Sequence, residues 1–500
     1  MEDRGRSMED RDVLAAGVPS VSSTRAPSPL VQELAAYPNV GEALRAFSGQ
    51  ANVLLLESIL KRGHVGQYSF LVADPFEFFE LQQARHGSDP FAQIRQRFSR
   101  FAAASVEGLP PFQGGVAGLL SYELGHAWEQ LPTPPFDEFR LPAMCVGLYD
   151  WVIGWDHTAD RSWIISHGWP EIEATRRVDR AAKRLQWVQE TLQKASGSRN
   201  AEPREKPCPV PNPEFRDAAA SAPRFPAPGP KGLLSDFSRD DYLRAVQRTI
   251  EYIDAGDIFQ ANLSQRLLIP QHRTPIELYE RLRCFNPAPF AGCFLHGDWA
   301  VVSASPERFV CVRDGEVETR PIKGTRQRRM GPEADLFTRD ELRESGKDQA
   351  ENVMIVDLLR NDLSRVCRPG TIRVPQLCSV ETYETVQHLV SEVRGQLVAD
   401  RDVWDLFAAV YPGGSVTGAP KVRAMQIIAE LEPTARGPYC GSLFYAGFDG
   451  TLDSNILIRT FVCRNGWIQC PVGGGIVAQS DPAAEYEETL HKAEGMLRAL

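Results

Sequence analysis

The sequence predicts an α+β fold in which antiparallel strands are joined by tight hairpins. Dipeptides of the hairpin type separate runs rich in β-branched and aromatic residues, at Gly297-Asp298, Asp314-Gly315, Asp449-Gly450 and Asn465-Gly466. Patterns with helical periodicity are grouped between these hairpins and do not alternate with single strands. Because a doubly wound parallel sheet requires regular alternation of strands and helices, this order favours α+β.

The spacing of apolar residues predicts helices at 241–254, 344–362, 422–432 and 482–500. The last helix has the clearest beginning, since Asp481 is a suitable N-cap and Pro482 stands at the first helical position. Its apolar residues form one stripe, which Glu485 and Glu488 flank. We therefore expect this helix to bury one face and to present carboxylates beside it.

The composition is that of a globular protein and argues against two classes of partner. Apolar residues make up 43% of the 500 residues, which is ordinary. The net charge is −10 with both signs interspersed, whereas a nucleic-acid partner needs a clustered basic face. No apolar run approaches the ~18 residues of a membrane span, and the N-terminus lacks the apolar core of a signal peptide. The ten cysteines include no Cys-x-x-Cys pair, so neither a zinc site nor a disulfide framework is indicated, and a cytoplasmic location is expected.

Two low-complexity stretches divide the chain. Residues 1–28 are charged and then rich in Ser, Pro and Ala, and we expect them to form a disordered tail. Residues 194–232 contain too many prolines for a helix or a central strand, which indicates a linker or a surface excursion. Between and after these stretches lie an N-terminal region, 29–193, and a C-terminal region, 233–500.

Lys323 is the most informative single residue. It follows the hairpin at Asp314-Gly315 and stands between Ile322 and Gly324, where its amine could be desolvated. Desolvation lowers the pKa of an amine and makes it a nucleophile. The segment alone does not distinguish this role from that of an ordinary solvated lysine.

Several segments resemble the chorismate-utilising enzymes, a family that includes the anthranilate, aminodeoxychorismate, isochorismate and salicylate synthases. The matching segments are 257–265, 305–308, 320–326, 350–357, 387–389, 413–421, 438–441, 458–460, 473–475 and 485–489. The resemblance implies two intertwined, sheet-rich lobes that form a layered antiparallel sandwich. It also implies helices on the outside and an active site in the cleft.

Position 323 separates two branches of this family. By resemblance, the anthranilate synthases have alanine at this position, whereas the aminodeoxychorismate synthases have lysine. Asn352 agrees with the lysine-bearing branch, since many anthranilate synthases have histidine after the glutamate that matches Glu351. The resemblance thus implies amination of chorismate to 4-amino-4-deoxychorismate in folate biosynthesis, with Lys323 as a covalent nucleophile. Anthranilate synthesis, and a chorismate-binding regulator without turnover, are the alternatives.

Two pairs of carboxylates match the magnesium ligands of the family. Asp348 and Glu351 share one helix face, and Glu485 and Glu488 share another, because the members of each pair are three residues apart. Spacing alone favours ordinary solvated helix faces. The resemblance instead implies a Mg²⁺ site, with Glu351 and Glu488 as direct ligands and Asp348 and Glu485 acting through water.

Further matched positions imply contacts with the substrate. The apolar run 456–462 is predicted to be a continuous strand. Arg459 inside it needs an anionic partner, which is either an internal carboxylate or a carboxylate of the substrate. The segment 413–421 lacks P-loop spacing, which excludes an ATPase. The resemblance implies substrate-binding roles for Tyr439, Gly473, Gly474, Gly475, Thr417 and Lys421.

The resemblance also implies two catalytic side chains besides Lys323. Glu307 follows Ser305-Pro306 and, taken alone, is expected to be an exposed turn carboxylate. By resemblance it is a general acid/base near the ring carbon that bears the hydroxyl. His388 is a lone histidine, which is more often structural, and by resemblance it orients the leaving group.

The family resemblance also implies a tryptophan pocket, and the sequence indicates a protein partner. Glu57 and Ser58 match one wall of the pocket in relatives, and Asn286, Pro287 and Phe290 match the second wall. A strand end and a turn are the ordinary interpretation of these segments. Bound tryptophan is structural in some relatives and inhibitory in others, so regulation is not inferred. No amidotransferase motif is visible, so we expect ammonia to come from a separate glutaminase subunit.

Overall fold

The computed structural model describes residues 27–35, 38–60, 66–197, 222–327, 332–382 and 386–500. The helices in these ranges are α1 (Val40–Phe47), α2 (Ala92–Phe98), α3 (Ala174–Gly197), α4 (Arg239–Asp254), α5 (Pro275–Phe285), α6 (Pro332–Glu344), α7 (Gly346–Ser364), α8 (Val403–Val410), α9 (Lys421–Leu431) and α10 (Pro482–Leu497). The strands are β1 (Leu30–Glu33), β2 (Val53–Glu57), β3 (Tyr68–Val72), β4 (Glu77–Leu81), β5 (Gly115–Leu120), β6 (Met144–Tyr149), β7 (Trp151–Asp156), β8 (Arg161–Ser166), β9 (Phe225–Pro226), β10 (Leu234–Ser235), β11 (Gln260–Pro270), β12 (Phe290–His296), β13 (Trp299–Ser305), β14 (Arg308–Arg313), β15 (Glu316–Thr319), β16 (Ile322–Gln327), β17 (Arg373–Thr382), β18 (Val386–Gln396), β19 (Gly418–Ala419), β20 (Ser442–Gly447), β21 (Leu452–Asn455), β22 (Thr460–Arg464) and β23 (Trp467–Ile476).

The strands form two large antiparallel sheets. The larger sheet has 13 strands in the order β1-β8-β7-β3-β2-β12-β13-β22-β23-β11-β10-β9, and β19 pairs with β11 beside this path. The smaller sheet has 10 strands in the order β16-β18-β15-β14-β21-β20-β5-β6-β4, and β17 pairs with β18. Each sheet contains strands from before and after the predicted linker, so the two parts of the chain are interleaved.

Alternation along the strands explains why the sheets stack. In β2, Leu54 belongs to one apolar cluster while Val53 and Leu55 belong to another, as the period of two in a strand requires. The Leu54 cluster also contains Leu119 of β5 and Leu443 of β20, and so lies between the sheets. The outer cluster of the larger sheet includes α1, α3, α5 and α10, and that of the smaller sheet includes α2, α7 and α8. The predicted α+β layered sandwich with outer helices is therefore confirmed.

The local signals for hairpins and helices are also confirmed. The predicted turns join β12 to β13, β14 to β15, β20 to β21 and β22 to β23. Asp314 and Asn465 have φ of 51° and 53°, and the glycines that follow them also have positive φ, as a type I′ turn requires. In α10, the Asp481 side chain accepts a hydrogen bond from the backbone N–H of Ala484, which makes it the N-cap.

The low-complexity stretches lie partly outside the described residues. This holds for almost all of the predicted tail, 1–28, and for the middle of the predicted linker, 198–221. At the edges of the linker the structure corrects the prediction, since α3 continues to Gly197 and Phe225–Pro226 forms β9. Pro226 is tolerated because β9 is an edge strand. In the described ranges, no helix combines the length and the apolarity that crossing a membrane requires.

Candidate active site

The predicted site residues meet where the two sheets approach each other at β16, β18 and β23. Helix α7 packs on β16 and β18, and α10 packs on β23. These elements carry Lys323 on β16, Glu351 on α7, Gly474 on β23 and Glu488 on α10. The site is therefore built from both sheets and from one helix on each.

Lys323 lies inside a strand, whereas the sequence placed it after a hairpin. Strand β16 pairs with β18, and the register shifts directly after Lys323. The next residue, Gly324, has φ of 73°, and a Cβ there would lie 2.8 Å from Leu342 Cδ1 and 2.9 Å from Asp348 Cγ. Only glycine suits this bulge, and bulges beside active sites redirect neighbouring side chains.

Lys323, Ser415 and Glu307 form a connected polar cluster. The Lys323 ammonium donates a hydrogen bond to the Ser415 carbonyl oxygen at 3.2 Å, and the Ser415 hydroxyl donates one to Glu307 Oε1 at 2.9 Å. Burial lowers the pKa of Lys323, and the carboxylates of Glu351 and Glu307 oppose this shift. The structure thus gives the lysine the desolvated environment that a nucleophilic amine requires.

Glu307 is buried, which excludes the exposed-turn interpretation. Burial raises the pKa of Glu307 to about 7, against the opposing effects of Lys323 and the Ser415 hydroxyl. The turn before Glu307 is held by a hydrogen bond from the Glu307 N–H to the Ser305 hydroxyl at 3.2 Å. A carboxyl group with a pKa near 7 can both donate and accept a proton at neutral pH.

The predicted metal ligands on α7 and α10 lie among lysines. Burial raises the pKa of Glu351, and the ammonium groups of Lys323 and Lys347 oppose this shift. Lys347 Nζ lies 3.7 Å from Glu485 Oε1, and Lys492 Nζ lies 2.6 Å from Glu488 Oε1. Negative charge from two helices is therefore concentrated here and is balanced by ammonium groups.

The donor chemistry of this cluster fits Mg²⁺. The ligands offered are carboxylate oxygens, which hard cations prefer, and Glu351 and Glu488 come from different helices. The Asp348 carboxylate already accepts a hydrogen bond from Arg326, whose Nη2 lies 3.0 Å from Asp348 Oδ2. Among the described residues, no three of the four predicted carboxylates have oxygens within 4.8 Å of one another. The role of Mg²⁺ therefore stays a prediction, based on the type of ligand and the charge.

The glycine run lies within a strand and not at a turn. Gly473, Gly474 and Gly475 belong to β23 and pair with β11. A Cβ on Gly474 would lie 3.3 Å from Glu485 Oε2 and 3.4 Å from Glu488 Oε1. A Cβ on either neighbouring glycine would clash with β11. The missing side chains therefore leave space directly beside the carboxylates of α10.

Arg459 lies in a break between strands, so the predicted continuous strand is wrong. Strand β21 ends at Asn455 and β22 begins at Thr460, and Arg459 between them has φ of 52°. With the described residues, its guanidinium makes neither an ion pair nor a hydrogen bond, and burial lowers its pKa. A half-buried guanidinium without a carboxylate beside it is suited to bind an anionic ligand.

His388 and Tyr439 are both buried, and His388 lies near Arg459. Burial and the Arg459 charge lower the pKa of His388 to about 4, so its imidazole is neutral at pH 7. In the β16–β18 register, His388 lies opposite Thr325, just after the bulge. Tyr439 lies beside Arg436, whose guanidinium carbon is 5.8 Å from the centre of the Tyr439 ring.

Comparison with known proteins identifies the family to which this site belongs. A family model described as chorismate binding enzyme matches residues 52–498. The chain belongs to the chorismate-binding enzymes. It is thus a chorismate-utilising enzyme, and the resemblance found in the sequence is confirmed.

Both branches of the chorismate-binding enzymes include close relatives. The chain is 40% identical to anthranilate synthase component 1 of Streptomyces coelicolor, over 89% of this chain and 83% of the relative. It is 40% identical to aminodeoxychorismate synthase component 1 of Salmonella typhimurium, over 78% of this chain and 77% of the relative. A solved structure of anthranilate synthase component I from Streptococcus pneumoniae has a TM-score of 0.70 at 27% identity, covering 88% of this chain and 94% of that one. Overall identity therefore does not separate the two reactions.

In this chorismate-binding enzyme, Lys421 and Thr417 are held by internal contacts. Lys421 Nζ is 2.6 Å from Asp362 Oδ2 and 2.8 Å from the Val410 carbonyl oxygen. The Thr417 hydroxyl donates to the Gly413 carbonyl oxygen at 3.0 Å. These contacts fix the segment 413–421 against α7 and α8, and substrate binding by the two residues stays a prediction.

Sequence reasoning missed three polar residues of the site, namely Ser415, Lys347 and Lys492. Two of them had a local signal, since Lys347 stands four residues before Glu351 and Lys492 four residues after Glu488. Ser415 had none, because its link between Lys323 and Glu307 joins three segments that are distant in the sequence.

Only some of the residues predicted to form the tryptophan pocket line the same cavity. Glu57, Ser58 and Phe290 line one cavity. Neither Asn286 nor Pro287 is among the residues that line it. The Glu57 carboxylate is buried and accepts hydrogen bonds from Tyr279 and Arg283, which are residues of α5. Whether the cavity binds tryptophan stays a prediction.

Proposed function

We propose that this chorismate-binding enzyme converts chorismate and ammonia into 4-amino-4-deoxychorismate, in the pathway to 4-aminobenzoate and folate. The observation that carries the proposal is the buried link from Lys323 through Ser415 to Glu307. In this link the Lys323 amine, the proposed nucleophile, is connected to a carboxyl group whose pKa is about 7. Overall identity is equal for relatives of the two branches, so the proposal rests on Lys323 and its surroundings.

In the first step, the neutral Lys323 amine attacks ring carbon 2 as the hydroxyl leaves carbon 4. A carbon–nitrogen bond forms at carbon 2, both double bonds of the ring diene shift by one position away from carbon 2, and the carbon 4–oxygen bond breaks. Glu307 donates its proton to the departing oxygen, which leaves as water, and the alkylated amine then returns a proton to Glu307. The lowered pKa of Lys323 and the raised pKa of Glu307 favour the protonation states that this step requires.

In the second step, ammonia attacks carbon 4 and both ring double bonds shift back. The bond between carbon 2 and Lys323 breaks, and Glu307 supplies the proton that the leaving amine takes up. The enolpyruvyl ether is retained, so chorismate and ammonia give 4-amino-4-deoxychorismate and water. Because this enzyme is proposed to work with ammonia, a separate glutaminase subunit is its proposed partner.

Charged groups around the cluster position the substrate in this proposal. Arg459, which has no ion pair with a described residue, binds one substrate carboxylate through its two parallel N–H donors. Glu351 and Glu488 would hold Mg²⁺, which when bound neutralises the second carboxylate. The neutral imidazole of His388 orients the leaving hydroxyl without adding charge.

Product analysis tests the proposed reaction. The purified chain, given chorismate, a high concentration of ammonium at alkaline pH and Mg²⁺, should form 4-amino-4-deoxychorismate without release of pyruvate. Glutamine in place of ammonium should give no product, because the nitrogen donor is free ammonia. Excess EDTA should stop turnover and added Mg²⁺ should restore it. Mass spectrometry of the mixture identifies the product.

The possible products distinguish the alternatives. Anthranilate together with pyruvate would assign the chain to the other branch. Chorismate that binds but is not consumed would make it a regulator. Glutamine-driven turnover by the chain alone would contradict the separate glutaminase.

Replacement of Arg459 should weaken chorismate binding without destabilising the fold. Arg459→Asn suits the positive φ at this position and removes the guanidinium. We expect kcat/KM to fall roughly 30- to 1,000-fold, which is about 2–4 kcal/mol, with most of the change in KM. Thermal denaturation should be unchanged, because no ion pair with a described residue is lost.

Arg360→Asn is the matched control, since Arg360 is an exposed arginine of α7 that pairs with Asp357. It should leave KM unchanged. An unchanged KM in Arg459→Asn would show that the substrate carboxylate is bound elsewhere.

A further inference from the structure

Apart from the active site, a set of potential metal ligands joins the two sheets. The donor atoms of Glu80, Cys145 and His296 all lie within 4.8 Å of one another. Glu80 and Cys145 are directly opposite each other on β4 and β6 of the smaller sheet. His296 is the last residue of β12, which belongs to the larger sheet. The cluster is therefore formed only when the sheets are stacked.

The imidazole of His296 has the orientation of a metal ligand. Its Nδ1 is hydrogen-bonded to the side-chain oxygen of Asn52, and its Nε2 lies 3.4 Å from Glu80 Oε2. Because an amide oxygen only accepts, Nδ1 carries the proton and Nε2 retains its lone pair. Metal-binding histidines characteristically donate their other N–H to an oxygen in this way. Phe78 stacks on the ring with centroids 5.1 Å apart and holds its plane.

We propose that Glu80, Cys145 and His296 form a zinc site. One thiolate, one imidazole and one carboxylate make up a ligand set typical of Zn²⁺, with a fourth position open to water. The thiolate and the carboxylate together balance the charge of the ion. Donor atoms around tetrahedral zinc are about 3.3–3.8 Å apart, and the separation of 3.4 Å between His296 and Glu80 already satisfies this.

Access and proton balance are consistent with this assignment. Cys145 is fully buried, whereas the side chain of Glu80 is 36% exposed and gives the ion a route from solvent. On binding, the S–H bond of Cys145 breaks, a zinc–sulfur bond forms, and the proton leaves to solvent. No oxidation or reduction is involved. The bound ion would link β4 and β6 to β12 and so resist separation of the sheets.

Zinc titration of the full-length chain tests the proposal. After treatment with EDTA and desalting, isothermal titration with ZnCl₂ in the presence of excess Mg²⁺ should show one equivalent bound per chain. The melting temperature should rise with zinc concentration, because the ion binds only the folded state. Substitution with Co²⁺ should give the charge-transfer absorption of a thiolate ligand, which requires no variant and reports on a cysteine directly.

Variants identify the ligands. Cys145→Ala and His296→Ala should each abolish stoichiometric zinc binding and the cobalt absorption. Asn52→Gly removes the oxygen that orients His296, suits the φ of 51° at that position, and should weaken binding about 10- to 100-fold.

The controls use residues outside the cluster. Cys284→Ala and His272→Ala alter an exposed cysteine and an exposed histidine, and both should bind zinc as the wild type does. Glu488→Gln, in the active site, should also retain the zinc equivalent. Absence of zinc binding by the folded wild type, or undiminished binding by Cys145→Ala, would overturn the proposal. If Cys145→Ala does not fold, a wild-type cobalt spectrum without thiolate absorption would overturn it equally.

Discussion

Lys323→Ala should abolish formation of 4-amino-4-deoxychorismate while leaving the chain folded. The substitution removes the nucleophilic amine, and loss of a covalent catalyst is expected to lower kcat by roughly 10³-fold or more. The fold should tolerate it, because within the described ranges the Lys323 side chain donates a hydrogen bond only to the backbone oxygen of Ser415. Chromatography of the product measures the loss. Wild-type chain given chorismate without ammonia should carry a mass adduct that peptide mapping places on Lys323.

Lys323→Arg separates nucleophilic from electrostatic roles. Arginine keeps the positive charge but stays protonated at every accessible pH and cannot attack carbon. It should therefore be as inactive as Lys323→Ala. The exposed Lys231 provides a matched control, and Lys231→Ala should retain both rate and adduct. An undiminished rate in Lys323→Ala, with no adduct in the wild type, would refute covalent catalysis.

Glu307→Gln should have the second largest effect, a fall in kcat of about 10²- to 10⁴-fold. Glutamine occupies similar space but can neither give nor take a proton. In the wild type, the pKa of about 7 predicts that the rate of the acid-dependent step falls as pH rises through 7. A pH–rate profile should show this limb for the wild type, and it should be missing from the residual activity of the variant.

The same carboxyl group predicts how stability depends on pH. Burial raises the pKa of Glu307 from 4.5 to about 7, so between these values the folded chain holds a proton that the unfolded chain has released. The contribution of Glu307 to stability is therefore fully present below pH 4.5 and is lost as pH rises through 7. Urea unfolding measures the free energy of unfolding at pH 5 and at pH 8. The decrease in this free energy from pH 5 to pH 8 should be smaller for Glu307→Gln than for the wild type. Equal decreases would mean that Glu307 is already ionised at pH 5.

The sequence predicted well those features whose causes are local. Hairpin turns at dipeptides such as Asn465-Gly466 depend on residues that tolerate positive φ, and the start of α10 depends on Asp481 and Pro482. Lys323 was placed less accurately. Its strand exists because β16 pairs with β18, a partner more than fifty residues away, and the bulge at Gly324 follows from that pairing.

Arg459 shows why an apolar pattern can mislead. The run 456–462 has the composition of a strand, but the backbone N–H of Cys440 bonds to the Leu457 carbonyl oxygen and that of Ala304 bonds to the Arg459 carbonyl oxygen. These long-range bonds hold the chain in an irregular path with positive φ at Arg459. The ligands of the proposed zinc site were hidden for a similar reason, since Glu80, Cys145 and His296 meet only through sheet pairing and stacking.

The interleaving of the two parts of the chain has a consequence for biosynthesis. Strand β5 begins at Gly115 and needs β20, which begins at Ser442, to complete its pairing in the smaller sheet. At ordinary rates of translation, the ribosome takes on the order of 15–65 s to make the intervening chain. During that time one edge of β5 is unpaired and its apolar residues lack their final partners. The smaller sheet should therefore be completed only after β20 has left the ribosome, and the N-terminal part is expected to need protection from aggregation until then.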